Sequence, residues 1–183
     1  MEIINNNRFF QLQPFLAKQT VPKITITSSC IRQNQQLKIT YLVKGDLSQI
    51  VLSDVSKNLG KRKHDLWQTT CFEFFFAIFN DPKYWEFNLS PTGDWNVYSF
   101  TNYRRGMKES ATFLALPIET VRDSDSYQIS TTINLKTIIS GQVPLDLAVT
   151  TVIEDINNNL SYWAIIHPGN QPDFHRRDSF IKF

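Results

Sequence analysis

The feature that most constrains this chain is a run of phenylalanines interrupted by an acid, Cys71-Phe72-Glu73-Phe74-Phe75-Phe76-Ala77-Ile78-Phe79. A short turn, Asn80-Asp81-Pro82-Lys83, leads from it into Tyr84-Trp85-Glu86-Phe87-Asn88-Leu89-Ser90. The apolar stretch Phe74 to Phe79 is far shorter than the ~18 residues a membrane helix needs, and it fits a buried strand. Side chains on a strand alternate between faces, so Phe72, Phe74, Phe76 and Ile78 share one side, and Cys71, Glu73, Phe75 and Ala77 share the other. In the partner strand Trp85, Phe87 and Leu89 fall together, opposite Glu86, Asn88 and Ser90. If Phe79 lies across from Tyr84, then Phe75 faces Asn88 and Glu73 faces Ser90. Both apolar sets then lie on one side of a sheet, as a sandwich core requires. Glu73, Glu86, Asn88 and Ser90 gather on the reverse, with Phe75 among them.

Similar strand signals recur along the chain. Lys23–Thr27, Gln36–Tyr41 and Tyr127–Ile133 alternate apolar and polar residues and are rich in β-branched side chains. Turn chemistry separates them at Lys44-Gly45-Asp46, Pro91-Thr92-Gly93-Asp94 and Asn157-Asn158-Asn159. Helical periodicity is scarce, with one turn expected between Asn134 and Ser140. No repeat or low-complexity linker divides the 183 residues. The expected fold is therefore all-β: one domain over residues 1–183, an antiparallel, jelly-roll-like β-sandwich with immunoglobulin-like layers.

Nineteen Lys and Arg against seventeen Asp and Glu leave a net charge of +2, too weak to attract nucleic acid non-specifically. No signal peptide or membrane span is expected, which points to a cytoplasmic protein. The two cysteines, Cys30 and Cys71, are expected to be free buried thiols, because a secreted β-domain stapled by disulfides usually carries more.

Candidate functional residues cluster in two places. After the central hairpin comes Trp95-Asn96-Val97-Tyr98-Ser99-Phe100. If Pro91 opposes Asp94, Trp95 joins the polar face with Glu73, Glu86 and Asn88, and Tyr98 enters the core. A one-residue slip exchanges Trp95 for Tyr98. Either arrangement sets a large ring beside two carboxylates and an amide, a surface that suits a saccharide. Tyr103 and Arg104 follow and could reach over the same face, and Trp67 precedes it. Lys57 to Lys63 reads as a solvated loop. The second cluster is Ser161 to His175. With Glu154 opposite Ser161, Glu154, Trp163 and His167 share a face, and Asp173 and His175 follow on an extended segment. A His167/His175/Asp173 metal site is chemically possible, but the spacing matches no strong metal signature, and no metal or other cofactor is expected. Met107 with His64, His167 or His175 is the only set that could ligate a haem through Met and His.

These residues resemble the DOMON-like β-sandwich domains related to family 9 carbohydrate-binding modules. The likeness rests on Leu66–Phe75, Tyr84–Tyr98, Ser161–Pro168 and Pro172-Asp173-Phe174-His175, and it spans most of the chain. The resemblance implies a sandwich that binds a small ligand, usually a sugar and in some relatives haem. In the sugar-binding relatives two Trp rings clamp a terminal sugar while polar side chains pair with its hydroxyls. The corresponding rings here are drawn from Trp67, Trp95 and Trp163, with Glu73, Glu86, Asn88 and Arg104 as polar partners. Some such modules carry structural calcium, for which this sequence offers no Asp-rich loop.

The expectation is thus a non-catalytic binding domain for a sugar-like small molecule, with neither nucleic acid nor membrane as a partner. Its ligand-binding residues would come from Trp67, Glu73, Glu86, Asn88, Trp95, Tyr98, Tyr103, Arg104, Glu154, Trp163, His167 and His175. An enzyme using Glu73/Glu86 or Glu154/His167 as acid and base is the alternative, and it requires a buried carboxylate of raised pKa in a closed pocket. A haem-binding or protein-interaction sandwich is the third reading.

Overall fold

The computed structural model describes residues 5–15, 21–53, 60–141 and 143–183; positions 57–59 of the expected Lys57–Lys63 loop lie outside them. The strands in chain order are β1 (Asn5–Pro14), β2 (Ile24–Gln33), β3 (Gln36–Gly45), β4 (Cys71–Ile78), β5 (Tyr84–Leu89) and β6 (Trp95–Phe100). They continue with β7 (Lys108–Glu109), β8 (Ile118–Arg122), β9 (Ser126–Asn134), β10 (Leu145–Glu154), β11 (Leu160–Ala164) and β12 (Ile181–Lys182). All pair antiparallel, in the order β7-β6-β5-β4-β10-β11-β1-β2-β3-β9-β8, and β12 extends the β11 row along β10. The sheet is strongly curled, and β1 carries it from one layer to the other. Asn5 to Leu12 pair with β2, whereas Gln13 and Pro14 pair with Ala164 and Trp163 of β11. The expected all-β antiparallel architecture is what the chain adopts.

The core fills the space between the layers. Phe72, Phe74, Phe76, Trp85, Phe87 and Leu89 face Ile26, Ile39, Tyr41, Val43 and Ile129. The Phe74 and Phe87 rings stack with centroids 4.4 Å apart. Burying one such ring contributes roughly 1.5–3 kcal/mol, so this aromatic ladder is a large part of what holds β4 and β5 together. Tyr41 crosses the core with its ring against Phe72, and its hydroxyl donates to the Glu73 carbonyl. Cys30 and Cys71 are free and buried, and the expected turn after Asn134 is a 3-10 turn over Leu135–Thr137.

Two registers differ from the sequence-based expectation, and the third, left open between two pairings, takes the one-residue slip. In the central hairpin Glu73 faces Asn88 and Phe75 faces Glu86, two residues from the expected pairing. The cause is a longer turn: β4 ends at Ile78, and the Phe79 N–H donates to Pro144 O at 3.0 Å, away from Tyr84. An even slip leaves every side chain on its expected face. In the next hairpin Leu89 pairs with Trp95 and Glu86 with Tyr98. Its loop is Pro91-Thr92-Gly93, closed by Ser90 N–H to Asp94 O at 2.8 Å, with Gly93 at φ +87°. The β10–β11 hairpin repeats the device. Asp155 N–H donates to Asn159 O at 2.9 Å, Asn158 sits at φ +62°, and Glu154 pairs with Leu160, not Ser161. Three-residue loops with a left-handed last residue are a common hairpin connection, and each shifts the returning strand by one.

Candidate binding site

The outer face of the β6-β5-β4-β10-β11 layer carries a second apolar cluster, which includes Phe75, Ala77, Tyr84, Tyr98, Phe100, Ala148, Val152 and Ala164. The C-terminal segment covers part of it. The His175 ring lies 5.3 Å from Phe75 and 5.1 Å from Phe100, and Phe180 lies 6.0 Å from Phe75. The chain itself therefore keeps Phe75 dry. Beside this cover lies a cavity of about 310 Å³, the size of a small-molecule site. Glu73, Glu86 and Val152 line it from the sheet, and Trp67, Arg104, Tyr162, Phe174 and His175 from its sides.

Each wall has a local cause. Trp67 sits in a 3-10 turn, Leu66–Gln68, that anchors through buried Leu66 immediately before β4, and its ring meets Tyr98 edge-on at 5.8 Å. Arg104 lies in the loop after β6 at φ +51°, a strained backbone for a residue with a side chain. Its N–H donates to the Tyr84 hydroxyl at 3.1 Å. That hydroxyl lies 2.8 Å from His175 Nδ1, so the chain of donors runs from Arg104 through Tyr84 to His175. It assigns the imidazole proton to Nε2, which lies 3.7 Å from Glu86 Oε2. Asp173 locks the two segments together. Arg104 Nε and Nη2 reach its Oδ1 at 3.3 and 2.9 Å, Tyr103 donates its hydroxyl to Oδ2, and the His175 N–H adds a bond at 3.1 Å.

Burial governs the charges. Glu86 is raised to about 7 by desolvation, against the Asn88 hydrogen bond and the Arg104 charge. Glu73 is pushed well above the carboxylate range by burial and then by the neighbouring Glu86 charge. His175 is drawn down to about 4 by burial and the Arg104 charge, so it is neutral at pH 7. Burial alone would raise Asp173, but its bonds to Tyr103 and Arg104 hold it below its usual value.

Of the sequence-predicted residues, Trp67, Glu73, Glu86, Arg104 and His175 meet at the cavity. Asn88 is fully buried beneath it and donates to Glu86 Oε1 at 2.8 Å. Tyr98 shares the face, bonded to Asn96 at 2.9 Å and to His64 Nδ1 at 3.0 Å, while Tyr103 acts through Asp173 at the rim. Trp95 and Trp163 do not reach the site. Both belong to the inter-layer core, Trp95 under the Arg62 guanidinium and Trp163 with its Nε1 bonded to Ser161. The single-residue slips put them there. Glu154 does not line the cavity; its main-chain N–H is held by Thr70. His167 bonds Gln13 O at 2.8 Å and packs edge-on against Phe15, which leaves it out of the cavity and away from a shared His/His/Asp cluster. Met107 and His175 line the same cavity, but both His175 nitrogens face Tyr84 and Glu86, so the pair does not fit haem ligation. Tyr162, Phe174, Phe100, Val152 and Pro172 line the cavity without having been singled out as ligand contacts. The three-residue loop at Asp155–Asn159 was the available signal for Tyr162.

No protein-family model and no curated protein matches the chain. Its structure is similar to that of a Bacteroides uniformis ATCC 8492 protein for which carbohydrate binding has been suggested, with TM-score 0.67 and 13% identity over 96% of this chain and 84% of that one. It is also similar to a carbohydrate-binding module of family 9 from Caldicellulosiruptor kristjanssonii. The glucose complex gives TM-score 0.56 and 12% identity over 98% and 82% of the two chains, and the cellotriose complex 0.55 and 13% over 89% and 74%. The expected family 9-like β-sandwich fold is thus found.

Proposed function

We propose that this chain binds a saccharide in the cavity between β4, β5 and the Asp173 clasp. The observation that carries the reading is the meeting of Glu73 and Glu86 on the floor with Trp67, Tyr162 and Phe174 at the sides of one cavity. Aromatic rings take the C–H faces of a sugar, and carboxylates take its hydroxyls. A volume near the low end of small-molecule sites, about 300–1,000 Å³, suits one sugar ring better than a chain. The fold shared with a glucose-binding module supports the same class of ligand. Isothermal titration of folded protein against mono- and disaccharides tests it. Binding that weakens in Trp67→Ala supports it, and flat heats across the panel count against it.

The alternative enzyme draws on the same pair of acids. Both are buried, and burial raises Glu86 to about 7, as a general acid requires. Turnover of aryl glycosides that vanishes in both Glu73→Gln and Glu86→Gln would establish it. Sugar binding without turnover supports the binding domain.

A further inference from the structure

Among the described residues, no cation is committed to the two floor carboxylates. Glu73 is 3% exposed and lines the cavity, while its Oε1 is sealed from solvent without a hydrogen-bond partner. Glu86 takes one bond from Asn88 at 2.8 Å and faces the neutral His175 at 3.7 Å. The other titratable groups packed around the pair come from several elements. Cys71 stands on the same strand, Tyr84 and Tyr98 on β5 and β6, Tyr41 behind Glu73, and all four are held neutral by raised pKa values. Arg104 and Asp173 come from the flanking segments and neutralise one another through two hydrogen bonds, so Arg104 reaches Glu86 only through its field. What remains is a buried acidic floor, costly to ionise unless a cation or donors reach it from the cavity.

A neutral sugar can donate hydroxyls to these acids, but it offers no countercharge when one of them ionises. An ammonium group brings three donors and a positive charge at once, and charge-assisted bonds are about twice as strong as neutral ones. The rings of Trp67, Tyr162 and Phe174 beside the acids suit a cation as well as a sugar face. We propose that the cavity takes a protonated amino sugar, its ammonium seated on the cavity side of the Glu73 carboxyl group and shared with Glu86. This deepens the proposed saccharide binding and rests on it. In the empty cavity the raised pair retains protons near neutral pH. The arriving ammonium takes the place of such a proton, which passes to the buffer.

The test is isothermal titration of the intact chain with glucosamine, N-acetylglucosamine, glucose and cyclohexylamine, in two buffers of different ionisation enthalpy. Glucosamine is expected to bind roughly tenfold or more tighter than glucose and N-acetylglucosamine, the effect of one hydrogen bond to a charged group. Its heat should differ between buffers through proton release, and its affinity should rise between about pH 6 and pH 7, where Glu86 ionises. Glu73→Gln and Glu86→Gln, each near-isosteric and checked for an intact melt, should each reduce the preference. Equal affinity for glucose and glucosamine overturns the ammonium site while leaving saccharide binding in place. Cyclohexylamine binding as tightly as glucosamine overturns the amino-sugar assignment, because the hydroxyls then contribute nothing. Silence from every sugar in folded protein overturns both readings.

Discussion

Asn88 donates to Glu86 Oε1 at 2.8 Å, although the residue directly across the hairpin from it is Glu73. Asn88 thus serves one of the two buried acids. Burial raises both: Glu86 to about 7, with the Asn88 bond holding it down, and Glu73 well above its ordinary value, with the Glu86 charge adding to burial. Asn88→Ala should therefore cost about 1–3 kcal/mol, the penalty of leaving a buried group unsatisfied. The loss should be larger at pH 8 than at pH 5, because it is the ionised Glu86 that needs the donor. Urea unfolding at the two pH values checks this; equal losses would show that Asn88 serves packing alone.

The same acids set the pH dependence of stability. A carboxyl whose folded pKa is raised binds more protons in the folded than in the unfolded chain, so stability falls as pH rises towards the folded value. For Glu86 that window runs from 4.5 to about 7, and Glu73, also raised, acts in the same direction. His175 works oppositely: lowered to about 4, it costs stability as pH falls from 6.5. The two slopes partly cancel between pH 4.5 and 6.5 and leave a decline above it. Glu86→Gln should flatten that decline, recovering on the order of 3 kcal/mol above pH 7 at 1.36 kcal/mol per pKa unit. Melting temperatures from pH 5 to 9 decide it, and a variant that tracks the parent throughout would refute the assignment.

The residues of the floor were legible in the sequence because an error of two in register preserves side-chain parity. Glu73, Glu86 and Asn88 stayed on one face although their partners changed. Trp67 was legible too, whereas the choice between Trp95 and Tyr98 stayed open and Tyr162 was missed, for the opposite reason. Gly93 and Asn158 each adopt a left-handed backbone at the end of a three-residue loop, and each one-residue shift swaps a Trp for a Tyr at the face that matters. A four-residue turn signal does not state whether two or three residues form the loop. The C-terminal cover was also invisible, since nothing in Pro172–Phe183 announces that it crosses back over Phe75.

That distinction among tryptophans is directly measurable. Trp163→Ala and Trp95→Ala remove core rings and should cost about 3–5 kcal/mol. Trp67→Ala and Tyr162→Ala remove partly exposed rings at the cavity, so they should weaken ligand binding with a much smaller loss of stability. Thermal melts paired with titrations separate the classes. Unchanged affinity in both cavity variants would move the binding surface elsewhere.

Asp173 closes the cavity by holding two segments that have no strand pairing with each other. It gathers Arg104 through two nitrogens, the Tyr103 hydroxyl and the His175 N–H, and Arg104 stays in a strained backbone that these bonds help to fix. Arg104 is about half exposed, so solvent screens the ion pair and its worth to stability is small, about 0–1 kcal/mol. Its value lies in position, because release of Arg104 frees the loop that carries one wall and uncouples the segment bearing Phe174 and His175. Asp173→Asn keeps the size and loses the charge. It should barely lower the melting temperature, raise amide exchange in residues 101–107 and weaken ligand binding severalfold, mainly through faster dissociation. The same substitution leaving exchange and dissociation unchanged would show that the walls hold without the clasp, and that β5, β6 and the cover over Phe75 shape the cavity on their own.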